Sequence, residues 1–323
     1  MAKTMRALAA YAYGPIGNLR VVELPLPEPG PGEVRVRVMA SALNPSDGKT
    51  LLGKIKLLHA KVFPLVVGWD LSGVVDAVGS GPTDLRVGQE VFGFHAYSRS
   101  TKLGALAEYT VLPASQLAAK PGNVSHESAA AAATVGITAL QALRDCGRMT
   151  TGQEVLITCA SGGVGSVAIG VARRLGGVVD AVSTSANVDF VRGLGVRATF
   201  DRSDKAWLAR VDRQYSVVLD AAAAFGLLAM RKILLPGGTY VSTLPSAGLV
   251  GGFLLAPLLR RRCKLVMVRP RRADLEWLAQ ALRKGLSVTI ARVFPIREAA
   301  AAIEDFATSG ARGKIAIRVD GGF

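Results

Sequence analysis

Residues 154–176, EVLITCASGGVGSVAIGVARRLG, constrain the fold more than any other stretch of the chain. Val155, Leu156 and Ile157 form the short apolar run that is typical of a strand buried on both faces of a parallel sheet. A glycine-rich turn follows, and apolar residues then recur at helical spacing up to Leu175. The pattern predicts a strand, a tight turn and a helix, the unit from which a doubly wound sheet is built.

The turn between this strand and helix has the pattern A-x-G-x-x-G, with Ala160 where the common fingerprint has its first glycine. Gly162 lets the backbone approach a pyrophosphate, and Gly165 lets the helix pack closely on the strand. The helix N-terminus offers free N–H groups and a positive dipole end to an anion. The alternative is an ordinary glycine turn, but the flanking strand and helix favour a dinucleotide site. The expected pyrophosphate contacts are Ser161, Gly162, Gly163, Val164 and Gly165.

The residues at the end of the second strand of this series indicate which dinucleotide binds. An acidic residue at that place would hold the ribose 2′-hydroxyl of NAD. The chain has Ser183, Thr184 and Ser185 there, and three hydroxyls suit a 2′-phosphate better than a free ribose. NADP(H) is therefore the expected cofactor. Asp180 is the competing candidate, although it is expected to lie in the middle of the strand.

Composition limits the class of protein. The chain has 323 residues, half of them hydrophobic, which is enough for two domains with a large core. Three cysteines are scattered without a C-x-x-C pair, which argues against a disulfide framework and for a reducing compartment. The apolar start of the chain is interrupted at Tyr11 and Pro15, so we expect a first strand rather than a signal peptide, and a cytoplasmic protein.

The chain carries a formal net charge of +15, which attracts phosphate-bearing partners. No nucleic-acid motif accompanies that charge and aromatic residues are few, so a nucleic-acid partner is not favoured. The apolar run 249–259 is too short to span a bilayer. It is followed by three arginines at 260–262, so a peripheral membrane contact is one reading. A buried helix or a dimer contact is the favoured one.

The order of the expected elements predicts an α/β protein. Residues 1–123 alternate in the manner of half-exposed strands, and an alanine-rich helix is expected from 125 to 148. A series of strands separated by helices then predicts a parallel, doubly wound sheet. The expected strands of that series are 154–160, 178–184, 198–200, 215–220, 238–243 and 264–268. Helices at 272–284 and 296–308 and a strand at 314–319 are expected to close the chain.

Several stretches in this order and spacing resemble the zinc-independent quinone oxidoreductase branch of the medium-chain dehydrogenase/reductase superfamily. They include Asn-Pro-Ser-Asp at 44–47 and Gly-Trp-Asp-Leu-Ser-Gly-Val-Val at 68–75. The others are residues 87–91, 104–109, 136–139, 160–165, 295–302 and 312–315. The resemblance covers nearly the whole chain. It implies a GroES-like catalytic domain from 1–123 and 266–323, a Rossmann domain from 124–265, and an active site in the cleft between them.

The same resemblance implies that no metal is bound. The zinc branch has a cysteine near position 41 and a Gly-His-Glu where this chain has Gly68-Trp69-Asp70, and here those places hold Ser41 and Trp69. Zinc requires a set of Cys, His or carboxylate ligands. The three histidines, His59, His95 and His126, lack ligand partners at metal spacing.

The resemblance also places the cofactor contacts, with two departures from the branch. Asn187 stands where the branch has Lys or Arg, and Arg202 stands where it has Tyr. The planar, charged guanidinium of Arg202 could donate hydrogen bonds to the 2′-phosphate of the cofactor in place of the missing Lys or Arg. The alternative is that Arg202 is a solvated surface residue. The expected 2′-phosphate contacts are Ser183, Thr184, Asn187 and Arg202. Thr134 and Thr138 are expected near the nicotinamide, and Ala221 and Leu244 along the cofactor.

A reductase without a metal needs a substrate that already accepts hydride, which the resemblance implies is a quinone or an α,β-unsaturated carbonyl. The protein must hold the reactants together and donate hydrogen bonds to the carbonyl oxygen. Asn44, Asp47 and Lys49 are the polar cluster that the resemblance places there, although Asn-Pro-Ser-Asp is also a plain turn sequence. Tyr97 is a second donor candidate. The alternative function is a non-enzymatic protein that binds NADPH or RNA.

The last strand of the parallel series, 264–268, predicts a homodimer. An apolar strand at the edge of a sheet needs to be covered. Pairing with its twin about a two-fold axis would extend one sheet through two subunits, an arrangement that the resemblance also implies. The alternative is that residues 249–262 fold over the edge and leave a monomer.

Overall fold

The computed structural model describes residues 3–56, 62–99, 101, 103–308 and 312–323. Within them the chain forms two compact units. The first unit consists of Met1–Thr134, Arg269–Gly285 and Ile290–Phe323, and the second consists of Val135–Val268 and Leu286–Thr289. The assignment of 1–123 with 266–323 to a catalytic domain, and of 124–265 to a cofactor domain, stays a prediction.

The helices and strands are numbered in chain order. The strands are β1 (Thr4–Ala10), β2 (Arg20–Pro25), β3 (Glu33–Ala42), β4 (Leu65–Val66), β5 (Asp70–Val78), β6 (Glu90–Phe94), β7 (Tyr109–Pro113), β8 (Leu117–Ala119), β9 (Glu154–Thr158), β10 (Val178–Ser183), β11 (Ala198–Asp201), β12 (Tyr215–Asp220), β13 (Leu234–Ser242), β14 (Arg262–Leu265), β15 (Ile290–Pro295) and β16 (Lys314–Arg318). The helices are α1 (Pro45–Leu51), α2 (His126–Leu140), α3 (Gly163–Arg174), α4 (Val188–Gly193), α5 (Leu227–Met230), α6 (Ala247–Leu255), α7 (Arg272–Arg283) and α8 (Ala299–Thr308).

The second unit is built on a six-stranded sheet in the order β11-β10-β9-β12-β13-β14, and every pairing in it is parallel. The first strand of the series, β9, lies inside the sheet between β10 and β12. Its residues Val155, Leu156 and Ile157 are fully buried, as an apolar strand covered on both faces requires. This order is that of a doubly wound nucleotide-binding sheet, so the predicted fold class is confirmed for this unit.

The first unit is rich in β-structure and mostly antiparallel. A seven-stranded sheet runs β15-β16-β3-β5-β6-β8, with β7 paired to β3, and a three-stranded sheet runs β2-β1-β4. Alternate residues of β3 are buried, among them Val34, Val36 and Val38, which is the period of a strand with one face on a core. The apolar side chains of β1 and α8 pack into the same core.

Three elements differ from the sequence-based prediction. The strand β15, which pairs in parallel with β16, was not predicted, because its partner reaches it only through the crossover helix α8. The helix expected over 125–148 continues beyond α2 as a π-helical turn, Gln141–Cys146. The last strand of the parallel sheet is Arg262–Leu265 rather than 264–268, because its register follows the end of β13, where Leu265 pairs with Ser242.

The apolar segment around α6 is only half buried. Leu249 is 2% exposed, whereas Leu254 and Leu258 are 77% and 81% exposed. The interpretation of this stretch as a buried helix is therefore wrong for its outer face, and the dimer contact stays a prediction. Within the described ranges, no helix combines the length and the apolar character needed to cross a membrane.

Candidate functional site

The glycine turn joins β9 to α3 in the second unit. Gly162 is the residue that caps the helix N-terminus, with φ −77° and ψ 175°. A side chain added at Gly162 would meet only the carbonyl oxygen of Cys159 within 4 Å, at 3.5 Å, so the space above the turn is open. A side chain added at Gly165 would collide with the backbone of Cys159 and would lie 2.8 Å from Cα of Ala160. Gly165 thus serves close packing and Gly162 leaves room for a ligand, as a pyrophosphate site requires.

Polar side chains gather beside this turn, at the carboxyl end of β10. Nδ2 of Asn187 donates to Oγ of Ser161 and to Oγ1 of Thr184, both at 3.2 Å. The guanidinium of Arg202 is exposed, and its Nη1 lies 3.8 Å from Sγ of Cys159 in the turn. Ser183 is buried, and its carbonyl oxygen accepts the backbone N–H of Arg202. The structure therefore brings the predicted 2′-phosphate residues to one edge of the sheet, next to the predicted pyrophosphate turn.

A carboxylate that the sequence-based reasoning missed lies at the same edge. Asp201 ends β11, and it accepts hydrogen bonds from Oγ of Ser185 at 2.5 Å and from the N–H of Ser203 at 2.9 Å. These bonds, that of Ser185 first, lower the pKa of Asp201. The hydroxyl of Ser185 is therefore engaged. The sequence feature that could have identified Asp201 is an acidic residue directly after a predicted strand. That strand is the third of the parallel series, whereas an acid that binds the ribose is expected at the end of the second.

Asp180, the competing ribose ligand, is committed elsewhere. Its carboxylate is fully buried and accepts hydrogen bonds from Nε and Nη2 of Arg197, at 3.0 and 2.7 Å, and from the hydroxyl of Tyr215 at 2.8 Å. Arg197 also binds Glu154 at the start of β9. Asp180 therefore belongs to an ion-pair network within the sheet, which removes it as the ribose contact.

A second buried carboxylate, Asp220, organises the loop after β12. It accepts hydrogen bonds from Oγ1 of Thr158 at 2.9 Å and from the hydroxyl of Tyr240 at 2.7 Å, and it also accepts the N–H groups of Ala224 and Phe225. Sequence-based reasoning missed this residue, although an acid that follows an apolar strand was a usable signal. Asp220 therefore holds the loop that contains Ala221.

Ala221 and Leu244, the other two predicted cofactor contacts at this edge, lie in loops that hydrogen bonds connect. Oγ1 of Thr243 donates to the carbonyl oxygen of Ala221 at 2.9 Å, and Oγ of Ser242 donates to that of Leu244 at 2.8 Å. On α2, Thr134 and Thr138 are each 6% exposed. Their predicted contacts with a cofactor stay predictions.

In the first unit, Asp47 fixes the start of α1. One of its carboxylate oxygens accepts the N–H of Asn44 at 2.7 Å, and the other accepts the N–H of Gly68 at 2.9 Å. Burial raises the pKa of Asp47 to about 7, with a further contribution from the charge of Asp70, against the lowering effect of the hydrogen bonds. The stretch that sequence-based reasoning left open as a catalytic cluster or a turn is the capped beginning of a helix.

Lys314 holds the side chain of Asn44 in place. Its Nζ, on a side chain only 2% exposed, donates to the carbonyl oxygen of Leu43 at 2.6 Å, to Oδ1 of Asn44 at 2.8 Å and to Oδ2 of Asp70 at 3.0 Å. Nδ2 of Asn44 donates to the same oxygen of Asp70 at 2.8 Å. The sequence-based prediction gave Lys314 no role. The feature that could have identified it is a lysine at the start of a mostly apolar strand, since a buried lysine needs polar partners.

The other predicted polar residues of this unit differ in how they are engaged. Lys49 is half-buried, and its ammonium makes no hydrogen bond or ion pair with any part of the chain that the structure describes. Oγ of Ser46 and the hydroxyl of Tyr97 lie 3.0 Å apart, and the Tyr97 ring packs on Trp69 with 4.5 Å between the ring centroids. The structure thus joins Asn44 and Asp47 by a hydrogen bond, whereas the Lys49 side chain makes none with either of them.

The histidines that the structure describes have protein partners. Nε2 of His95 lies 3.0 Å from Oγ1 of Thr110, and burial lowers the pKa of His95 to about 4. Nδ1 of His126 lies 2.8 Å from Oγ of Ser72. His59 lies outside the described residues. Among the residues that are described, no group of three or more His, Cys, Asp or Glu side chains could hold a metal ion.

Two family models match the chain. The alcohol dehydrogenase GroES-like domain matches residues 30–122, and the zinc-binding dehydrogenase model matches residues 194–317. The first of these confirms the GroES-like character expected of the β-rich unit. The second falls mostly on the parallel sheet and extends to β16.

Named relatives agree with the family models. The chain is 28% identical to a chloroplast envelope quinone oxidoreductase homolog of Arabidopsis thaliana, over 89% of this chain and 90% of the relative. It is 32% identical to a chloroplastic NADPH-dependent alkenal/one oxidoreductase of the same plant, over 67% of this chain and 58% of the relative.

Solved structures share the fold. The structure of a quinone oxidoreductase from Coxiella burnetii matches with a TM-score of 0.87 and 28% identity, over 98% of this chain and 100% of that one. The family models, the relatives and this structure all confirm the resemblance on which the sequence-based prediction rested. The chain therefore belongs to the medium-chain dehydrogenase/reductase superfamily, a superfamily of oxidoreductases.

Proposed function

We propose that the protein is an NADPH-dependent, zinc-independent reductase of quinones or α,β-unsaturated carbonyl compounds. The observation that carries the proposal is the position of the Lys314 ammonium, which is held by oxygens of Leu43, Asn44 and Asp70. Asp70 belongs to the triplet that aligns with Gly-His-Glu of the zinc branch. Because Nζ of Lys314 already contacts three oxygens, the carboxylate of Asp70 and the amide of Asn44 at this place are engaged by a side chain of the protein itself.

The second unit fits a nicotinamide dinucleotide. The open space at Gly162 and the close packing at Gly165 suit a pyrophosphate, and a bound nicotinamide would supply the hydride for the reduction. Three features support NADPH over NADH. No carboxylate ends β10, the Arg202 guanidinium has no carboxylate partner among the described residues, and a relative is named as NADPH-dependent. The negative charge of Asp201 would repel a 2′-phosphate, and we propose that the positive charge of Arg202 offsets this repulsion.

The chain's own groups would position the acceptor and stabilise the charge that develops on its carbonyl oxygen. Without a Lewis acid, the acceptor must be electrophilic by itself, which is true of quinones and enones. Asn44 and Asp47 are bound to Lys314 and Gly68, so we propose that they hold α1 in place rather than contact the reacting atoms. Of these three residues, Lys49 has a charged group that makes no hydrogen bond among the described residues. We therefore propose Lys49 as the hydrogen-bond donor of this cluster to the carbonyl oxygen of the acceptor.

The decisive measurement is steady-state oxidation of NADPH against a panel of quinones and enones. We expect turnover with at least one member of the panel. A protein that binds NADPH tightly but turns over no acceptor would favour the alternative, a non-enzymatic NADPH-binding protein. Binding to RNA in the absence of turnover would favour the RNA-binding alternative.

Zinc independence has a separate test. We expect the rate to survive dialysis against a strong chelator, because the place of the metal ligands is taken by Trp69 and the Lys314 ion pair. The control is the same dialysis followed by added zinc, which should change nothing. A rate that is lost on dialysis and restored by zinc would contradict the proposal.

The exposed face of α6 supports a further alternative, contact with an anionic membrane. Phe253, Leu254 and Leu258 are exposed, and three arginines follow at 260–262. We propose instead that this face forms the homodimer contact. Sedimentation with anionic vesicles tests the choice, because only the membrane alternative predicts that the protein sediments with them. The three free cysteines fit a reducing compartment, and we propose the cytoplasm.

A further inference from the structure

A depression in the first unit lies between the segment that follows β8 and the C-terminal end of α7. Its volume is about 610 Å³, within the range of about 300–1,000 Å³ that small-molecule sites occupy. It is lined by residues 119–123 and by Ala279, Gln280 and Arg283 of the helix. All of these residues belong to the same compact unit. The depression therefore shares no residue with the predicted cofactor contacts.

The two walls of the depression are fixed to each other. Nζ of Lys120, on a side chain only 4% exposed, donates to two carbonyl oxygens of the loop at 3.2 and 2.6 Å and forms an ion pair of 3.1 Å with Glu90. Nδ2 of Asn123 donates to the carbonyl oxygen of Arg283 at 3.2 Å, which joins the loop to the end of α7. The depression is therefore formed before a ligand arrives, which lowers the cost of binding.

The ammonium of Lys120 is fully used by the protein itself. Its three N–H groups have three oxygen partners, and the carboxylate of Glu90 balances its charge. The end of α7 is likewise satisfied, because the carbonyl oxygens of Gln280, Leu282 and Arg283 all accept hydrogen bonds. Neither the lysine nor the helix backbone is thus left for a ligand.

Two polar side chains of this wall remain free. The guanidinium of Arg283 and the carboxamide of Gln280 are exposed, and neither makes a hydrogen bond or ion pair with any residue that the structure describes. No acidic side chain is among those that line the depression. An arriving ligand therefore meets one unpaired positive charge, and the planar fork of a guanidinium matches the two oxygens of a carboxylate.

The rest of the lining is apolar and small. Ala119, Pro121 and Ala279 have apolar side chains, and Gly122 has none. A Cβ atom added at Gly122 would meet nothing within 4 Å, so the loop leaves open space there. Apolar walls of this kind favour a ligand with an apolar body, because its burial removes hydrocarbon surface from water.

We propose that this depression binds a small amphiphilic carboxylate. Its carboxylate contacts the guanidinium of Arg283 and the carboxamide of Gln280, and its apolar body packs against Ala119, Pro121 and Ala279. This ligand differs in class from both the dinucleotide and the carbonyl acceptor of the proposed reductase. The inference therefore goes beyond that function and is tested without turnover.

The probe is octanoate, titrated calorimetrically into the full-length chain, and we expect saturable binding at one site per chain. Octan-1-ol has the same apolar body without the charge and should bind roughly three- to tenfold more weakly. Acetate has the charge without the body and should bind at least about a hundredfold more weakly, since each buried methylene group contributes up to about fourfold in affinity. Acetate that binds as tightly as octanoate would contradict the assigned class of ligand.

Two variants locate the bound octanoate. Arg283→Gln should weaken octanoate roughly three- to tenfold and leave octan-1-ol unchanged, because only the charged contact is removed. Ala279→Leu should weaken both compounds, because the larger side chain takes up part of the depression. The control is Arg86→Gln, which removes an exposed arginine of the same unit that does not line the depression and should change neither affinity.

Thermal unfolding checks that each variant is folded, and Arg283 and Ala279 test the depression independently of each other. Absence of saturable octanoate binding to the wild type would overturn the inference. So would octanoate binding that neither Arg283→Gln nor Ala279→Leu weakens, since the octanoate would then lie elsewhere. Either result would leave the proposed reductase function standing, because that function is measured by NADPH oxidation.

Discussion

At the scale of single residues, the buried acids of this protein act as anchors. Asp180 and Asp220 in the parallel sheet and Asp47 and Asp70 in the β-rich unit are fully buried, and each accepts several hydrogen bonds. A carboxylate that is satisfied in this way fixes its neighbours but has little capacity left for a ligand. Polar groups that are exposed and have no carboxylate partner among the described residues, such as the guanidinium of Arg202, are therefore the better candidates for ligand contacts.

The first prediction concerns Arg202. Replacing it by alanine should weaken NADPH binding roughly ten- to hundredfold, because a charge-assisted contact with the 2′-phosphate contributes about 1.5–3 kcal/mol. NADH binding should be unchanged, since NADH lacks that phosphate. Fluorescence titration with both cofactors checks this, and Lys205→Ala, which removes an exposed cation nearby, is the control. An equal loss for both cofactors would exclude Arg202 from the phosphate site.

The second prediction follows from two opposite pKa shifts in the first unit. The pKa of Asp47 is raised from 3.8 to about 7, so its contribution to stability is present at low pH and is lost as pH rises towards 7. The pKa of His95 is lowered from 6.5 to about 4, so its contribution is present above pH 6.5 and is lost as pH falls. Between about pH 4 and 6.5 the two contributions oppose each other, each by up to about 1.4 kcal/mol per pH unit.

Removing either group should expose the slope of the other. Asp47→Asn should lose stability on acidification more steeply than the wild type, and His95→Gln should lose stability as pH rises through the same window. Urea unfolding at pH 4.5, 5.5 and 6.5 measures both slopes. Stability curves that run parallel to that of the wild type in both variants would contradict the assignment of these shifts.

At the scale of elements, the strand–turn–helix unit contains two glycines that are needed for different reasons, one for packing and the other for ligand approach. Gly165 is required because the helix and the preceding backbone are in contact there, and Gly162 is required only if a ligand approaches. The backbone of Gly162 is in the extended region that any residue can adopt, so a side chain there introduces no strain of its own.

The third prediction uses this difference. Gly162→Val should keep the fold and abolish NADPH binding, because the new side chain occupies the open space above the turn. Gly165→Val should destabilise the protein by about 1–3 kcal/mol or more, because its side chain collides with the Cys159 backbone. Thermal unfolding and cofactor titration of the two variants distinguish these outcomes. A folded Gly162→Val that still binds NADPH would place the phosphate elsewhere.

At the scale of the whole molecule, the parallel sheet leaves β14 at its edge. Beside it lies the outer face of α6, with Phe253, Leu254 and Leu258 exposed, and Met267 after the strand is 61% exposed. An edge strand next to an apolar surface is a place where a second chain can pair and bury area.

The fourth prediction is a homodimer through this edge. Light scattering at micromolar concentration should give twice the chain mass of 33.7 kDa, which is 67.4 kDa. Leu258→Glu should shift the mass towards the single chain, because it places a charge in the apolar contact, whereas Val87→Glu, an exposed apolar position in the other unit, should not. A wild-type mass near 33.7 kDa would exclude the dimer.

The sequence by itself determined the parallel sheet, its glycine turn and the family. Residues 154–176 carry the strand, turn and helix within one continuous stretch, and the period of buried residues is a local property that hydrophobic burial imposes. The polar edge at Ser183, Thr184 and Asn187 could be predicted for the same reason, since the carboxyl ends of parallel strands meet at one edge.

Only the tertiary structure decided which polar groups are engaged. Lys314 and Asp70 are 244 positions apart, Tyr97 and Ser46 are 51 apart, and β15 finds its partner only across α8. A motif states which side chains are present, but the hydrogen bonds that satisfy a buried charge depend on which distant segments the packed core brings together. For this reason the hydrogen bonds of Asn44 and Asp47 at the start of α1 could not be predicted, and their catalytic role stays a prediction, whereas Asp180 is held in an ion-pair network within the sheet.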